Sequence, residues 1–321
     1  MNRVKICFVG CGGIARIHAQ HLRCRDDVNI VGCYDASVSR AKEFATAFNT
    51  NAFDDVAALY DKSKAHAVYI AVPPHAHGDY EIEAATRGLP FFVEKPISLD
   101  LDVARKVAAA VRKAKVLTSV GYCFRYSDVV QTAQQILKGK AISLVTGQYH
   151  CAMPEASWWR KRAMSGGQLV EQTTHIIDLL LFLCGPVLEV HAMASRGCMS
   201  QVENFDVDDS SVLNLRLKTG AVASITSTCV LNHSSRTMLQ VVTPERIVTV
   251  TGNAVKIEEE HKATECFSVA DMYTAETAAF IKAVQLGKRN GIRCSYAEAL
   301  KTLRVTLAAS ESMETGMPVK I

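Results

Sequence analysis

The run Gly10-Cys11-Gly12-Gly13-Ile14-Ala15 lies between an apolar strand pattern, Ile6-Cys7-Phe8-Val9, and a helical pattern carried by Ile17, Ala19 and Leu22. Gly-x-Gly-x-x-Ala in a strand-turn-helix setting is a dinucleotide-binding fingerprint, and it commits the start of the chain to a βαβ architecture. Gly10 makes the tight turn, Gly12 lets the backbone approach a pyrophosphate, and small Ala15 lets helix and strand pack closely. The helix start at Gly13 and Ile14 offers free amides to phosphate oxygens. A second strand pattern at 28–34 ends in Asp35, about 20 residues past the motif, where a carboxylate bonds an adenosine ribose diol. That acid favours NAD over NADP, while Arg40 offsets part of its charge and leaves room for a 2'-phosphate.

Strand and helix patterns keep alternating: strand at 67–72, helix at 80–87 closed by Gly88, strand at 91–93, helix at 102–113, strand at 116–120. Residues 1–121 therefore read as a doubly wound parallel sheet, an NAD(P)-binding α/β domain. Ligands of such sheets sit at the carboxyl ends of the strands, so Pro73, Pro74, Lys95 and Tyr122, which follow strand ends, are expected to line one crevice. Lys95, in Phe91-Phe92-Val93-Glu94-Lys95-Pro96, stands out, because a charged amine at a buried strand's end points to chemistry; the bland alternative is a surface salt bridge with Glu94. The Lys95-Pro96 bond is expected to be cis.

From about residue 140 the period changes to two, at 143–149, 211–217, 221–229, 238–242 and 247–250, with Lys218-Thr219-Gly220 as a hairpin turn. Residues 122–321 are thus expected to form an α+β domain, an open antiparallel sheet with helices at 169–183, near 275–286 and at 296–314 on one face. The uncovered face, carrying Val212, Asn214 and Arg216, suggests a homodimer or homotetramer formed through this sheet.

Composition narrows the partners. The net charge is only +4 with no long basic run, which gives no footprint for nucleic acid or an acidic membrane, and leaves small molecules as the expected ligands. The 11 cysteines are scattered without a Cys-x-x-Cys pair, as expected of reduced thiols and not of a disulfide framework or a metal site. The first strand pattern starts by residue 5, which leaves no space for a signal peptide, and no apolar run approaches the roughly 18 residues of a membrane span. The expected address is the cytoplasm.

A second chemical cluster follows Ser165-Gly166-Gly167. Glu171, His175 and Asp178 are spaced i, i+4, i+7, which would put them in one stripe of a helix otherwise made of Leu169, Val170, Ile176, Ile177, Leu179, Leu180, Phe182 and Leu183. Ionisable groups on a buried helix need partners or water, and a cleft supplies both. Spacing alone equally fits a structural His-Asp pair bonded to loop backbone.

The chain resembles the glucose-fructose oxidoreductase, inositol dehydrogenase and MocA (Gfo/Idh/MocA) family over essentially its whole length. The resemblance rests on Gly10-x-Gly12-x-x-Ala15, Asp35, Pro73-x-x-x-His77, Glu94-Lys95-Pro96, Gly121 with Arg125, Trp159-Arg160, and Gly166-Gly167-x-Leu169-x-Glu171-x-x-x-His175-x-x-Asp178. It implies NAD(P)-dependent hydride transfer at a secondary hydroxyl of a sugar, polyol or cyclitol, with Lys95 as the catalytic lysine, His175 as the acid-base histidine and Glu171 in the site. It places Pro73, His77 and Glu94 on the nicotinamide side of the cofactor. Tyr122, Arg125, Trp159, Arg160 and Asp178 become candidates for substrate contact, although the aromatic side chains equally suit packing and the arginines ion pairs. His18, on the first helix, faces phosphate or solvent.

One departure matters: the inositol dehydrogenase branch usually has Asp four residues before the histidine, and here it is Glu171, one methylene longer. Thr173 likewise replaces the usual Gly two residues before it. The particular substrate therefore does not follow from the resemblance. Two relatives' chemistries stay open beside the dehydrogenase, an NAD-dependent redox-neutral glycosidase and a non-catalytic NAD-binding regulator; a reductase using NADPH is opposed by Asp35.

Overall fold

The structure, a computed structural model, describes residues 3–233 and 235–321. The chain divides into two compact units, one running to Cys123 and including Met272–Leu300, the other made of Phe124–Asp271 and Lys301–Ile321.

In chain order the first part contains β1 (Val4–Val9), α1 (Gly13–Arg23), β2 (Val28–Tyr34), α2 (Val38–Phe48), α3 (Val56–Lys62), β3 (Ala67–Ile70), α4 (Asp79–Thr86), β4 (Phe91–Val93), α5 (Leu101–Ala114) and β5 (Thr118–Val120). The five strands are all parallel in the order β2-β1-β3-β4-β5. β3, β4 and β5 are buried at every position, as strands covered by helices on both faces must be. Strand order reverses between β1 and β3, so the loops after those strands flank the switch point where such sheets bind ligands. Local chemistry fixes the helix starts: Asp55 caps α3, and the Asp100 carboxylate accepts the amides of Asp102 and Val103 to open α5.

There follow α6 (Asp128–Leu137), β6 (Leu144–Ala152), α7 (Arg162–Ser165), α8 (Gly167–Glu171), α9 (Thr174–Cys184), β7 (Val187–Ser195), β8 (Ser210–Leu217), β9 (Val222–Leu231), β10 (Arg236–Val242), β11 (Ile247–Thr251), β12 (Ala254–Glu259), β13 (Lys262–Phe267), α10 (Met272–Leu286), α11 (Tyr296–Thr315) and β14 (Val319–Lys320). Nine strands form the second sheet, in the order β13-β12-β11-β10-β6-β9-β8-β7-β14. The sheet is antiparallel except where β6 runs parallel to β9. The expected open antiparallel sheet is thus present, and its one parallel pair arises because β6 sits between β9 and β10, two strands consecutive in the chain. The turn at 218–220 is the expected hairpin, with Gly220 at φ 92°. On the inner face Leu213, Leu215, Leu217, Ala223 and Ile225 pack against Val129, Val130 and Ala133 of α6 and Ile176, Ile177 and Leu180 of α9.

Residues 272–300, which the sequence reading put with the second domain, pack with the first. Phe280, Ile281 and Ala283 of α10 share a core with Phe8, Ala15, Tyr69 and Phe92, and Phe280 meets Tyr69 and Phe92 edge-on at 5.5 and 5.9 Å between ring centres.

Candidate functional site

The glycine turn is built as a phosphate cradle. Gly10 has φ 89°, and a Cβ there would lie 2.4 Å from the Ala71 carbonyl oxygen, so glycine alone fits between β1 and β3. A Cβ on Gly12 or Gly13 would meet nothing within 4 Å, which leaves open space over the turn. No side chain caps the start of α1 and its first turn holds no acid, so its amides and positive dipole end stay available to an anion. At the end of β2, Asp35 is held by the amides of Cys11 (2.9 Å) and Ser37 (2.8 Å). Arg40 Nε lies 3.8 Å from Asp35 Oδ1 with its side chain half exposed. Cys11 and Cys7 are buried packing thiols: the neighbouring Cys33 thiol and burial push Cys11 up, and burial pushes Cys7 up to about 12, so neither is a nucleophile.

At the end of β4, the Glu94 carboxylate is 5% exposed. Its Oε1 lies 2.7 Å from His18 Nε2, and its Oε2 accepts the Lys95 amide at 3.1 Å. His18 therefore faces inward, not to phosphate or solvent. Lys95 itself is half-buried, and the Lys95–Pro96 bond is cis. Pro73 leads into a single turn at Pro74–Ala76 after β3. His77 is buried with Nδ1 2.5 Å from Glu81 Oε1, while Glu81 Oε2 accepts the Gly78 amide at 2.7 Å. The ring expected on the nicotinamide side is thus engaged in closing the start of α4.

In the second unit the expected continuous helix at 169–183 is broken. The amides of Gln172 and Thr173 both bond the Gln168 carbonyl, and those of His175 and Ile176 then reach back only three residues, to Gln172 and Thr173. Glu171 ends α8 and His175 starts α9, so the i, i+4, i+7 spacing does not describe one regular stripe. The β-branched pair Thr173-Thr174 at the junction disfavours an unbroken helix.

The break gives the three ionisable groups different surroundings. Glu171, half-buried, accepts the indole N–H of Trp159 at 2.9 Å. His175, half-buried, lies between two rings, Phe124 at 4.8 Å and Tyr149 at 6.4 Å, stacked on both. Asp178 is 1% exposed and takes both Nε and Nη2 of Arg125 at 2.7 Å, with Thr302 Oγ1 at 2.9 Å. Arg125 is 4% exposed, its guanidinium over the Phe182 ring at 4.9 Å. Arg125 and Asp178, expected to touch substrate, instead hold each other. Trp159 and Tyr122 are likewise fully buried and present no face for a sugar ring to stack on. Arg160 is half-buried, and its Nε has no hydrogen-bond partner among the described residues.

Residues 4–122 match the family described as an oxidoreductase family with an NAD-binding Rossmann fold, and residues 130–248 match the GFO/IDH/MocA C-terminal domain. The chain belongs to the Gfo/Idh/MocA oxidoreductase family. Among its relatives are the uncharacterised oxidoreductase YrbE of Bacillus subtilis (strain 168), 25% identical with 98% of this chain and 95% of the relative aligned, and the NAD-dependent scyllo-inositol 2-dehydrogenase of the same organism, 22% identical over 100% and 97%. A levoglucosan dehydrogenase solved with NADH and levoglucosan has the same fold, with TM-score 0.90 at 20% identity over 100% of each chain.

As a Gfo/Idh/MocA protein the chain carries an NAD-binding Rossmann domain. Its own residues fit that cofactor: the open cradle over Gly12 and Gly13 suits the pyrophosphate, and the anchored Asp35 carboxylate suits a ribose diol. Among the described residues no helix is long and apolar enough to cross a membrane, and no cluster of His, Cys, Asp and Glu is placed to hold a metal. The sequence reading left out Phe124 and Tyr149, which carry no motif. His18 shares the buried stripe of α1 with Ala15, Ala19 and Leu22 at i, i+3, i+4, i+7, a pattern that marks it as inward-facing from sequence.

Proposed function

We propose that this protein oxidises a secondary hydroxyl of a sugar, polyol or cyclitol with NAD, or reduces the matching ketone. The carrying observation is Lys95, a half-buried amine at the carboxyl end of a fully buried strand in an NAD-binding domain. Glycine-turn amides and the start of α1 hold the pyrophosphate, and Asp35 holds the adenosine ribose. When bound, NAD supplies the hydride acceptor. The Lys95 ammonium donates a hydrogen bond to the reacting oxygen and stabilises developing alkoxide charge. His175 takes the hydroxyl proton, a task suited to imidazole, whose unperturbed pKa is near 6.5 against about 10.4 for lysine. Phe124 and Tyr149 fix the plane of that ring, and Glu171, restrained by Trp159, offers a carboxylate for substrate hydroxyls. Self-association through the second sheet is supported by exposed Leu144, Leu188, Met193, Val212 and Val222.

The test is NADH formation, followed by absorbance, with a panel of inositols, aldoses and sugar acids, with NADP in parallel. Lys95→Ala is expected to abolish turnover, at least about a hundredfold, while NAD still binds. Loss of NAD binding instead would make Lys95 a cofactor-holding residue.

A further inference from the structure

The phosphate-binding helix and the lysine strand are joined by a buried link. His18 is 0% exposed, in the second turn of α1, with its ring among Phe92 (4.8 Å), Tyr69 (5.4 Å) and Tyr273 (6.0 Å). The ring has no space to turn, and Nδ1 has no hydrogen-bond partner among the described residues. Among the described residues its polar contact is Nε2 to Glu94 Oε1 at 2.7 Å, and because an ionised carboxylate only accepts, Nε2–H is the donor. On the other side the carboxylate lies flat against β5's exit: a Cβ on Gly121 would come within 2.7 Å of Glu94 Oε1. Oε2 meanwhile accepts the amide of Lys95.

We infer that His18 is a positioning residue for Lys95, acting through Glu94. A carboxylate wedged between the imidazole and Gly121 has one rotamer, and that rotamer fixes both the Lys95 backbone and the distance between the carboxylate charge and the lysine amine. Titratable groups from four elements gather beside this link: His18 from α1, Glu94 and Lys95 after β4, Cys123 after β5, and Tyr273 and Glu276 from α10. Their closeness shows in the Cys123 thiol, which burial pushes well up, Glu276 and Glu94 push further, and the Tyr273 hydroxyl and Lys95 pull back. Removing the imidazole donor frees Glu94 to turn its charge toward the ammonium, which favours the charged form of the amine and spoils its aim.

The inference rests on Lys95 being the chemical group, so the first readout needs no substrate. In the full-length protein, competitive acetylation over a pH series with mass-spectrometric quantification gives the titration midpoint of the Lys95 amine. His18→Leu is expected to raise that midpoint by about half a unit or more. It also lowers kcat about tenfold with KM nearly unchanged, because misplacement is felt in the transition state. His18→Gln, whose amide nitrogen falls near the place of Nε2, is expected to restore both. If His18→Leu does not fold, Gly121→Ala carries the test, since its new Cβ displaces Glu94 from the opposite side and should move the midpoint the same way. A folded His18→Leu or Gly121→Ala protein with an unmoved midpoint overturns the inference, as does a His18→Gln protein that melts like the wild type yet keeps the leucine variant's defects. Absence of any alcohol substrate would instead count against the proposed function and leave the labelling result standing.

Discussion

Asp178→Ala is expected to destabilise the second unit by about 3–5 kcal/mol, the range for removing one partner of a buried ion pair. Hydrogen bonds ending on this carboxylate include two from Arg125 at 2.7 Å and one from Thr302 at 2.9 Å. The two charged side chains are only 5% and 2% exposed, so water does not screen the pair. The cost comes chiefly from stranding the guanidinium in an apolar setting; its seat over Phe182 offsets only about 0.5–2 kcal/mol. At roughly 2–4 °C per kcal/mol for a unit of this size, the melting temperature should fall by about 6–20 °C. The assay is urea unfolding followed by tryptophan fluorescence, which reports this unit alone because the chain's 2 tryptophans are Trp158 and Trp159. Replacing both partners, Arg125→Met with Asp178→Leu, should recover most of the loss, since well-packed apolar groups often substitute for a buried pair without cost. An Asp178→Ala protein with the wild-type unfolding midpoint and a raised KM for its alcohol would refute the reasoning and return both residues to the substrate site.

Two further perturbations test other parts of the structure. Gly10→Ala forces a side chain into a φ of 89° and a Cβ to 2.4 Å from a carbonyl oxygen, so NADH fluorescence titration should detect no binding at concentrations that saturate the wild type. Asp128 is held below the usual carboxylate range first by the Ser268 hydroxyl and then by the Val269 amide. A depressed carboxyl contributes stability above its unfolded value of about 3.9 and loses it as pH falls through the lower folded value, so the stability gap between wild type and Asp128→Asn should be flat from about pH 5 to 8 and close at lower pH.

The first sheet was legible because its signals are local. A fingerprint of six residues, a carboxylate at a fixed distance and short runs of wholly apolar strand each specify backbone geometry without reference to distant chain. The second unit was less so. The alternation of Leu213, Leu215 and Leu217 reveals β8, but β13, with most of its residues exposed, has no period to read. That β6 separates β9 from β10 is a choice among pairings that the hydrophobic pattern leaves equal. The core shared by Phe280 and Tyr69 joins residues more than two hundred positions apart, which composition cannot disclose.

For the candidate site, the sequence offers ionisable groups by type and spacing, and the structure buries them to different degrees. Periodicity counts residues and so put Glu171, His175 and Asp178 on one face; the backbone resets at Gln172–Thr173 and sends them to different neighbours. Asp178 meets Arg125, 53 positions away, and two opposite charges that close on each other at 2.7 Å with almost no exposure serve first to neutralise each other. Lys95, His175, Glu171 and Arg160 keep part of their surface, as the proton transfer and hydroxyl recognition proposed above would require. The same test explains His18. A histidine on the buried stripe of a helix has to justify its polarity with a partner, and the partner it finds, Glu94, is the residue next to the lysine.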